Sequence, residues 1–446
     1  MVKQPRAAGT GARQKLLQKP GALFIAGGLL FFVIVQVLLS FEILNHFWRG
    51  IIYWGAAITM VALGLNLIYG FCGQFSLGQY GFYAIGSYAA ADVTWRWTHS
   101  DPSGIVVVLF GSLLALLFYV GVSRLLGAFY RVNVMTRFTF FVIATILAFA
   151  ITVQFLVPFL GPVVIGLLNA FPAGISNRIV FFIALLGGAA LTGIASFLFG
   201  IPVLELGSDY FGIATLGFTT IVKVLLDNTD TILPFPEMKG ARGMIGIPQW
   251  TTWPWVFISL VLVIVVMRNL LHSSTGRAIV SVREDEQAAE LVGVDVATSK
   301  VLAFVIGSVF AGLAGGIRAH DLAFLHPQNF NFIQSFNPLI IVVLGGLGSM
   351  TGTIITGFAW ILLLEGVLRL YLPAGFEAWR FVVYPLVLLL MMLLRPEGLM
   401  GRYEVAVLRR KLPPLLPDAV MGKDDSSKAS GDAVADEVVA GGEVVA

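Results

Sequence analysis

The chain has 446 residues, of which 58% are hydrophobic and only 12% are charged, with a net charge of +3. A soluble domain carries about a quarter of its residues as charges, so water is excluded as the main solvent of this chain. Apolar runs of roughly 20 residues, the length of one helical crossing of a ~30 Å hydrocarbon core, recur along most of the sequence. The runs are continuous and lack the two-residue alternation of barrel strands. The expected fold is therefore all-α, a polytopic transmembrane helical bundle with ten to twelve membrane segments. The one cysteine, Cys72, has no internal disulfide partner and no ligand spacing around it, and is expected to be a small buried hydrophobe.

In chain order, residues 1–22 form a basic tail with Lys3, Arg6, Arg13, Lys15 and Lys19 and no acid. The apolar run that follows, 21–41, is too long for a signal-peptide core and has no small-residue cleavage site after it, so it is expected to be an uncleaved first helix. Further apolar segments lie near 51–70, 75–93, 105–127, 138–160, 179–200, 209–227, 253–271, 300–317, 333–346, 354–372 and 380–394. Those at 75–93 and 333–346 are short and rich in small residues, which suits re-entrant or broken helices. The transmembrane domain is expected over 23–400, interrupted by a polar loop at 272–299. Residues 401–446 form a tail that turns acidic, loses all aromatic residues after 417 and is expected to be disordered there. Lys and Arg cluster in the N-tail and in 124–137, 268–300 and 395–411. The positive-inside rule makes these four stretches, and both termini, cytoplasmic.

No catalytic constellation is visible. The five histidines, His46, His99, His272, His320 and His326, fall near span boundaries or in loops without ligand spacing, and neither H-E-x-x-H nor C-x-x-C occurs. The run Gly345-Gly346-Leu347-Gly348-Ser349-Met350-Thr351-Gly352-Thr353 lacks the lysine of a phosphate loop, so any ATP must be bound by another chain. Mid-span positions are almost free of titratable groups, which argues against an ion-coupled carrier. Lys223 with Asp227, and Glu365 with Arg369, stand four residues apart and are expected to pair along one helix face. Glu205 and Asp209 flank a span boundary as a candidate partner contact.

The polar loop is the most informative segment. A helix is expected over 278–292, with Val282, Ala289, Leu291 and Val292 as its apolar positions and Gly293 as its stop. It is too polar to enter lipid and far longer than a helix–helix connection requires. Its acids around 284–290 would be repelled by an anionic membrane surface. Docking against another protein is the expectation.

The stretch GRAIVSVREDEQAAELVGVDVATSKVLAFVIGSVFAGLAGG, 276–316, resembles the signature cytoplasmic loop and following helix of branched-chain amino acid ABC permeases, and more loosely the EAA loop of importers. Three further segments are similar to that family in the same order. They are Gln74-Phe75-Ser76-Leu77-Gly78-Gln79-Tyr80-Gly81, Leu206-Gly207-Ser208-Asp209-Tyr210-Phe211-Gly212, and Val343-Leu344-Gly345-Gly346-Leu347-Gly348-Ser349. The resemblance covers roughly 50–400. It implies a permease subunit in a bacterial inner membrane that is not itself an enzyme and has no catalytic, metal or cofactor site of its own. Its implied partners are a homologous second permease, two cytoplasmic ATPase subunits that hold ATP and Mg, a periplasmic amino acid-binding protein and membrane lipid, with no nucleic acid. Gly276, Arg277, Arg283, Glu284, Glu286, Ala288, Ala289 and Gly293 are implied to form the ATPase-coupling loop. Ser76, Gly78, Gln79, Gly81, Gly86, Gly345, Gly346, Gly348 and Ser349 are the candidates for pathway lining or close helix packing. A urea or amide importer permease is the nearest alternative, and an ATP-independent secondary transporter a more distant one.

Overall fold

The structure, a computed structural model, describes residues 20–127, 133–204, 208–231, 236–371 and individual residues between 382 and 408. The N-tail to residue 19, Glu205, the side chain of Asp209 and the tail beyond 408 lie outside the described residues.

The chain folds as a polytopic helical bundle. Helix α1 is Pro20–Ser40, and α2 is His46–Leu65, started by an Asn45 cap that accepts from Trp48 N and widened into a π-turn at Asn66–Phe71. After an extended stretch, α3 covers Gln79–Thr98. Helix α4 runs through Ser103–Val106, a π-turn at Val107–Gly111, and Ser112–Gly127. Helix α5 likewise joins Val134–Ile151 to Val157–Asn169 through Thr152–Leu156. The chain continues as α6 Ala173–Val203, α7 Ser208–Asp227 and α8 Trp253–His272. Two short helices, α9 Ser274–Glu284 and α10 Glu286–Leu291, lead into α11 Val296–Leu322. The short α12 Phe336–Gly345 and α13 Met350–Ile361 complete the described bundle, α13 passing into a π-turn at Leu362–Leu368.

Among the described residues, eight helices are long and apolar enough to cross a membrane, and α3 is not one of them. It carries Gln79, Ser87, Asp92, Thr94 and Arg96 and nevertheless lies at the centre, with Gln79, Phe82, Ala84, Ala90, Ala91, Val93 and Thr94 at most 1% exposed. A helix screened from lipid on every side need not be apolar. Its neighbours α2, α6 and α11 complete the core, whereas α4 and α5 expose Leu113, Leu116, Leu117, Ile143, Ile146, Phe155 and Phe159 outward. Of the two segments expected to be short or broken, 75–93 begins extended and then enters the continuous α3, and 333–346 contains the ten-residue α12.

Backbone contact through glycine holds the core helices together. A Cβ on Gly64 of α2 would lie 2.2 Å from Gly307 O of α11, and one on Gly307 would lie 2.5 Å from Gly64 O. At a second crossing, a Cβ on Gly86 of α3 would sit 2.2 Å from Gly312 O of α11, and one on Gly188 of α6 would sit 2.8 Å from Gly86 O. Lipid offers helices no hydrophobic reason to associate, so close packing of small residues supplies the attraction. Buried hydroxyls on these faces bond back to their own helices: Thr59 to Gly55 O at 2.6 Å, Ser87 to Tyr83 O at 2.7 Å and Thr192 to Gly188 O at 2.7 Å. No polar atom among them needs a partner across the interface.

Loops gather on two faces. One carries Arg268, Arg277 and Arg283 with the 66–78, 273–295 and 346–349 turns. On the opposite face Met244–Ile245 pairs antiparallel with Phe324–Leu325, in the register Met244↔Leu325. There Arg96 gathers three carboxylates: Asp92, with Nε 3.0 Å from both oxygens, Asp101 at 3.2 Å, and the buried Glu237. That guanidinium ties α3 to the following loop and to the 236–245 segment.

One expectation changes. His320 is not in a loop; it is wholly buried in α11, with Nε2 2.7 Å from Thr94 Oγ1 and Nδ1 2.7 Å from Gly316 O. The reason is that α11 extends about a turn beyond its apolar run, carried by contact with α3. Of the two intrahelical pairs expected, Lys223 and Asp227 meet at 2.7 Å.

Gly86→Ala should therefore damage the fold, since the methyl has only backbone to displace; overpacking of this kind costs about 1–3 kcal/mol or more. Gly121→Ala, where a Cβ meets nothing within 4 Å, should not. Thermal unfolding of the two variants in detergent, followed by size-exclusion chromatography, compares them directly.

Candidate functional site

The polar loop folds as two helices set at an angle, not as the single helix expected over 278–292. Asp285 stands in extended conformation (φ −158°, ψ 113°), ending α9 and capping α10 by accepting from Ala288 N at 3.0 Å. Aspartate favours such caps because its carboxylate satisfies an otherwise orphan amide. Sequence periodicity does not reveal the break, since Arg283-Glu284-Asp285-Glu286 suits either a helix surface or a cap. The chain leaves α10 at Gly293, whose φ of +86° any side chain would strain.

Each helix of the pair has an inner and an outer side. On α9, Ile279 and Val282 are buried and Arg277 is exposed. Gly276 lets α9 fold back tightly on α8, because a Cβ there would lie 2.1 Å from Leu270 O. Glu284 at the end of α9 is exposed, and on α10 Ala289 is buried while Glu286 and Ala288 face outward. Glu286 accepts from Lys300 Nζ at 2.6 Å, tying α10 to the start of α11. Asp295 caps α11, and its carboxyl is held below the usual carboxylate range by hydrogen bonds from the Thr298 hydroxyl and amide. This cap is fully present above the ordinary carboxylate pKa and is lost as pH falls through the lowered value. At the tip of the pair, Leu291 is 88% exposed and Val292 79%.

Arg283 points the other way. Its guanidinium donates to Gly70 O at the end of the α2 π-turn, and its stem lies against Gly73, where a Cβ would meet Arg283 Cγ at 3.3 Å. A Cβ on Gly348 would come within 2.8 Å of Arg283 Nη1. Beside it, the buried Asn66 accepts from Gly348 N at 3.0 Å and donates to Ser349 O and Thr353 Oγ1, each at 2.9 Å. Ser349 caps α13 by accepting from Gly352 N at 3.0 Å, and Glu404 accepts from Thr351 N at 3.2 Å. Gly345 and Gly352 touch backbone to backbone, and Gly346 and Gly348 take φ of +112° and +84°. Cys72, at the end of the α2 π-turn, is buried, and burial pushes its thiol up to about 12.

The extended stretch before α3 is held from α7. Leu77 N donates to Thr215 Oγ1 at 2.9 Å, and Thr219 Oγ1 donates to Leu77 O at 3.3 Å. Ser76 accepts from Gly78 N at 3.3 Å. Gly78 faces Thr215 and Gly81 faces Phe218, with hypothetical Cβ contacts of 3.1 Å in both cases. Gln79 is 1% exposed, and neither atom of its amide has a hydrogen-bond partner among the described residues. Ser76, Gly78, Gln79 and Gly81 are thus brought together where α3 meets α7. Gly86 lies two turns further, at the contact with Gly312, and Gly345, Gly346, Gly348 and Ser349 belong to the junction under α9.

Asn66, Gly70, Gly73, Lys300, Glu404 and the Arg96 cluster do not stand out in the sequence as site residues. Asn66 is a lone amide in an apolar run, and Asp92 and Arg96 are spaced four apart, so both carry a readable signal. Glu404 carries none, since its partners are fifty residues away in sequence.

The fold and this site define a multi-pass helical membrane protein with a structured polar helix pair on one face and no metal cluster among the described residues. The family model of the branched-chain amino acid transport system permease component matches residues 48–163 and 138–393, and the chain belongs to that family. It is 33% identical over 235 residues to the high-affinity branched-chain amino acid transport system permease protein LivM of Salmonella typhimurium, covering 46% of this chain and 54% of that protein. It is 30% identical over 158 residues to LivH of the same organism, covering 35% and 48%. Against a probable LivM of Methanocaldococcus jannaschii it is 24% identical over 243 residues, covering 50% and 70%. The chain thus spans about half the length of the bacterial relatives it matches. No solved structure matches it.

Asp285→Ala should unfasten α10 at a cost of about 1 kcal/mol, the worth of a lost N-cap. Faster hydrogen exchange at the amides of 287–291, with α11 unchanged, is the expected reading.

Proposed function

We propose that this chain is the membrane-spanning permease subunit of an ABC importer for branched-chain amino acids. A periplasmic binding protein delivers the substrate, and two separate ATPase subunits drive the transport. The carrying observation is the helix pair α9–α10, which presents Leu291 and Val292 nearly bare at the tip of an otherwise polar element. Large apolar side chains on a polar, structured loop mark a protein contact. The Lys and Arg clustering of 268–300 supports a cytoplasmic side for α9–α10 by the positive-inside rule, the side on which ATPase subunits would meet this tip. The absence of a lysine-bearing phosphate loop from the sequence agrees with ATP being held by those partners. The names of the LivM and LivH relatives support the substrate class.

In this reading ATP-driven closure of the ATPases displaces α9–α10, and the bundle passes between inward- and outward-facing states. The free energy of coupling is the difference between the contacts that the partners make in the two states. The Arg96 cluster keeps the loops of the periplasmic face attached to α3 while the other face moves.

The test is ATP-dependent leucine uptake into vesicles that hold this chain with its second permease, ATPases and binding protein. Leu291→Asp should weaken ATPase binding by about tenfold or more, the loss of a well-buried contact residue, and should abolish uptake while the permease remains monodisperse. Uptake in vesicles lacking the ATPases would overturn the proposal. Accumulation of urea with leucine ignored would overturn the substrate assignment alone.

A further inference from the structure

Arg283 lies in the loop that meets the ATPases, yet its side chain is turned away from that surface. It donates to Gly70 O, the carbonyl at the end of the α2 π-turn. The neighbouring amides turn elsewhere: Cys72 N bonds to Leu67 O at 3.1 Å, Gly73 N to Tyr69 O at 3.1 Å and Gln74 N to Ile68 O at 3.0 Å. Gly70 O therefore belongs to the carbonyls that a helix end leaves without a partner in its own ladder, and it sits at the negative end of the α2 dipole, where a cation is favoured. Two positions that lack a side chain leave room for the arginine. Gly73 accommodates its stem, and Gly348 accommodates its guanidinium. Both glycines have φ above +80°, at +81° and +84°, so the backbone itself is shaped to receive it. Behind Gly348, Asn66 fastens the α12–α13 turn to the same π-turn.

Three parts of the bundle thus share one side chain: the cytoplasmic helix α9, the end of α2, and the turn between α12 and α13. We infer that Arg283 is a positioning residue for transport, the link through which displacement of α9 moves the end of α2 and the α12–α13 turn, rather than a contact of the ATPase subunits. This rests on the proposed permease role and adds to it the residue by which the motion enters the membrane domain. A π-turn suits such a role. Its wider ladder leaves carbonyls free and lets the helix end shift without breaking a regular run.

The chain carries its own reporter. Cys72 is its one cysteine, lies next to Gly73 and is 2% exposed, so a water-soluble maleimide should label it only when the junction opens. The complete complex is purified with wild-type chain, Arg283→Met, Arg283→Lys and, as the docking control, Leu291→Asp. Labelling of Cys72, retention of the ATPase subunits and leucine uptake are measured on each. A hydrogen bond to a charged group is large enough to change a local opening equilibrium by about tenfold or more. Arg283→Met is therefore expected to label about tenfold faster and to lose uptake, while retaining its ATPase subunits. Leu291→Asp is expected to lose the ATPase subunits and keep Cys72 protected. If Arg283→Met is not monodisperse, Arg283→Lys carries the test, because it keeps the charge and stem but not the fork; intermediate labelling and uptake are expected.

Wild-type labelling and uptake in the arginine variants would overturn the inference. So would loss of the ATPase subunits from Arg283→Met to the extent seen in Leu291→Asp, since Arg283 would then be a docking residue. Failure of the permease reading is separate and appears in the wild-type control, as a complex that neither retains ATPases nor takes up leucine. The Cys72 comparison needs no substrate and reads the link itself.

Discussion

Everything in this bundle depends on how closely helix backbones approach one another in a solvent that gives them no hydrophobic reason to do so. Gly64 on Gly307, and Gly86 between Gly188 and Gly312, bring α2, α3, α6 and α11 to distances that a single methyl group would forbid. Dispersion forces fall steeply with separation, so contact of this kind is where helix association in lipid gains its free energy. Once those four helices are locked together, α3 is sealed from lipid and is free to carry the amides, hydroxyls and charges that an outer helix could not.

The same constraint governs the helix ends. A bundle that keeps polar backbone away from lipid must satisfy each interrupted helix from within the protein. The gap before α3 is closed by Thr215 and Thr219 of α7, the start of α13 by Ser349 and Glu404, and the end of α2 by Arg283. The last of these comes from the helix pair α9–α10 and joins the element that carries the bare Leu291 to the π-turn at the end of α2. Structural satisfaction and mechanical linkage are here served by one hydrogen bond.

Much of the chemistry is legible in the amino-acid sequence. Composition alone demands spanning helices, the missing lysine removes a phosphate loop, and the length and polarity of 272–299 separate that loop from an ordinary connection. The orientation of its side chains is not legible there. Arg283, Glu284 and Glu286 read alike as charges of one polar loop, yet one reaches under Gly348, one faces outward and one holds Lys300. Asp285 hides a helix break for the same reason, because a carboxylate is equally at home on a helix surface and at a cap. His320 is misplaced by its sequence because apolar periodicity ends before α11 does, and tertiary contact carries that helix onward.

What the sequence by itself determined is the solvent of this protein, the helical fold that lipid imposes, the polar loop and the family to which its motifs point. These follow from local quantities, namely the apolar length of a segment, its charge and the spacing of its residues. Only the tertiary structure decided which glycines touch backbone, that the polar α3 is central, and that Asn66, Gly70, Gly73, Arg283 and Gly348 form one junction. Such contacts join residues more than two hundred positions apart. Their energies depend on distances of a few tenths of an ångström, which are set only when the whole bundle has packed.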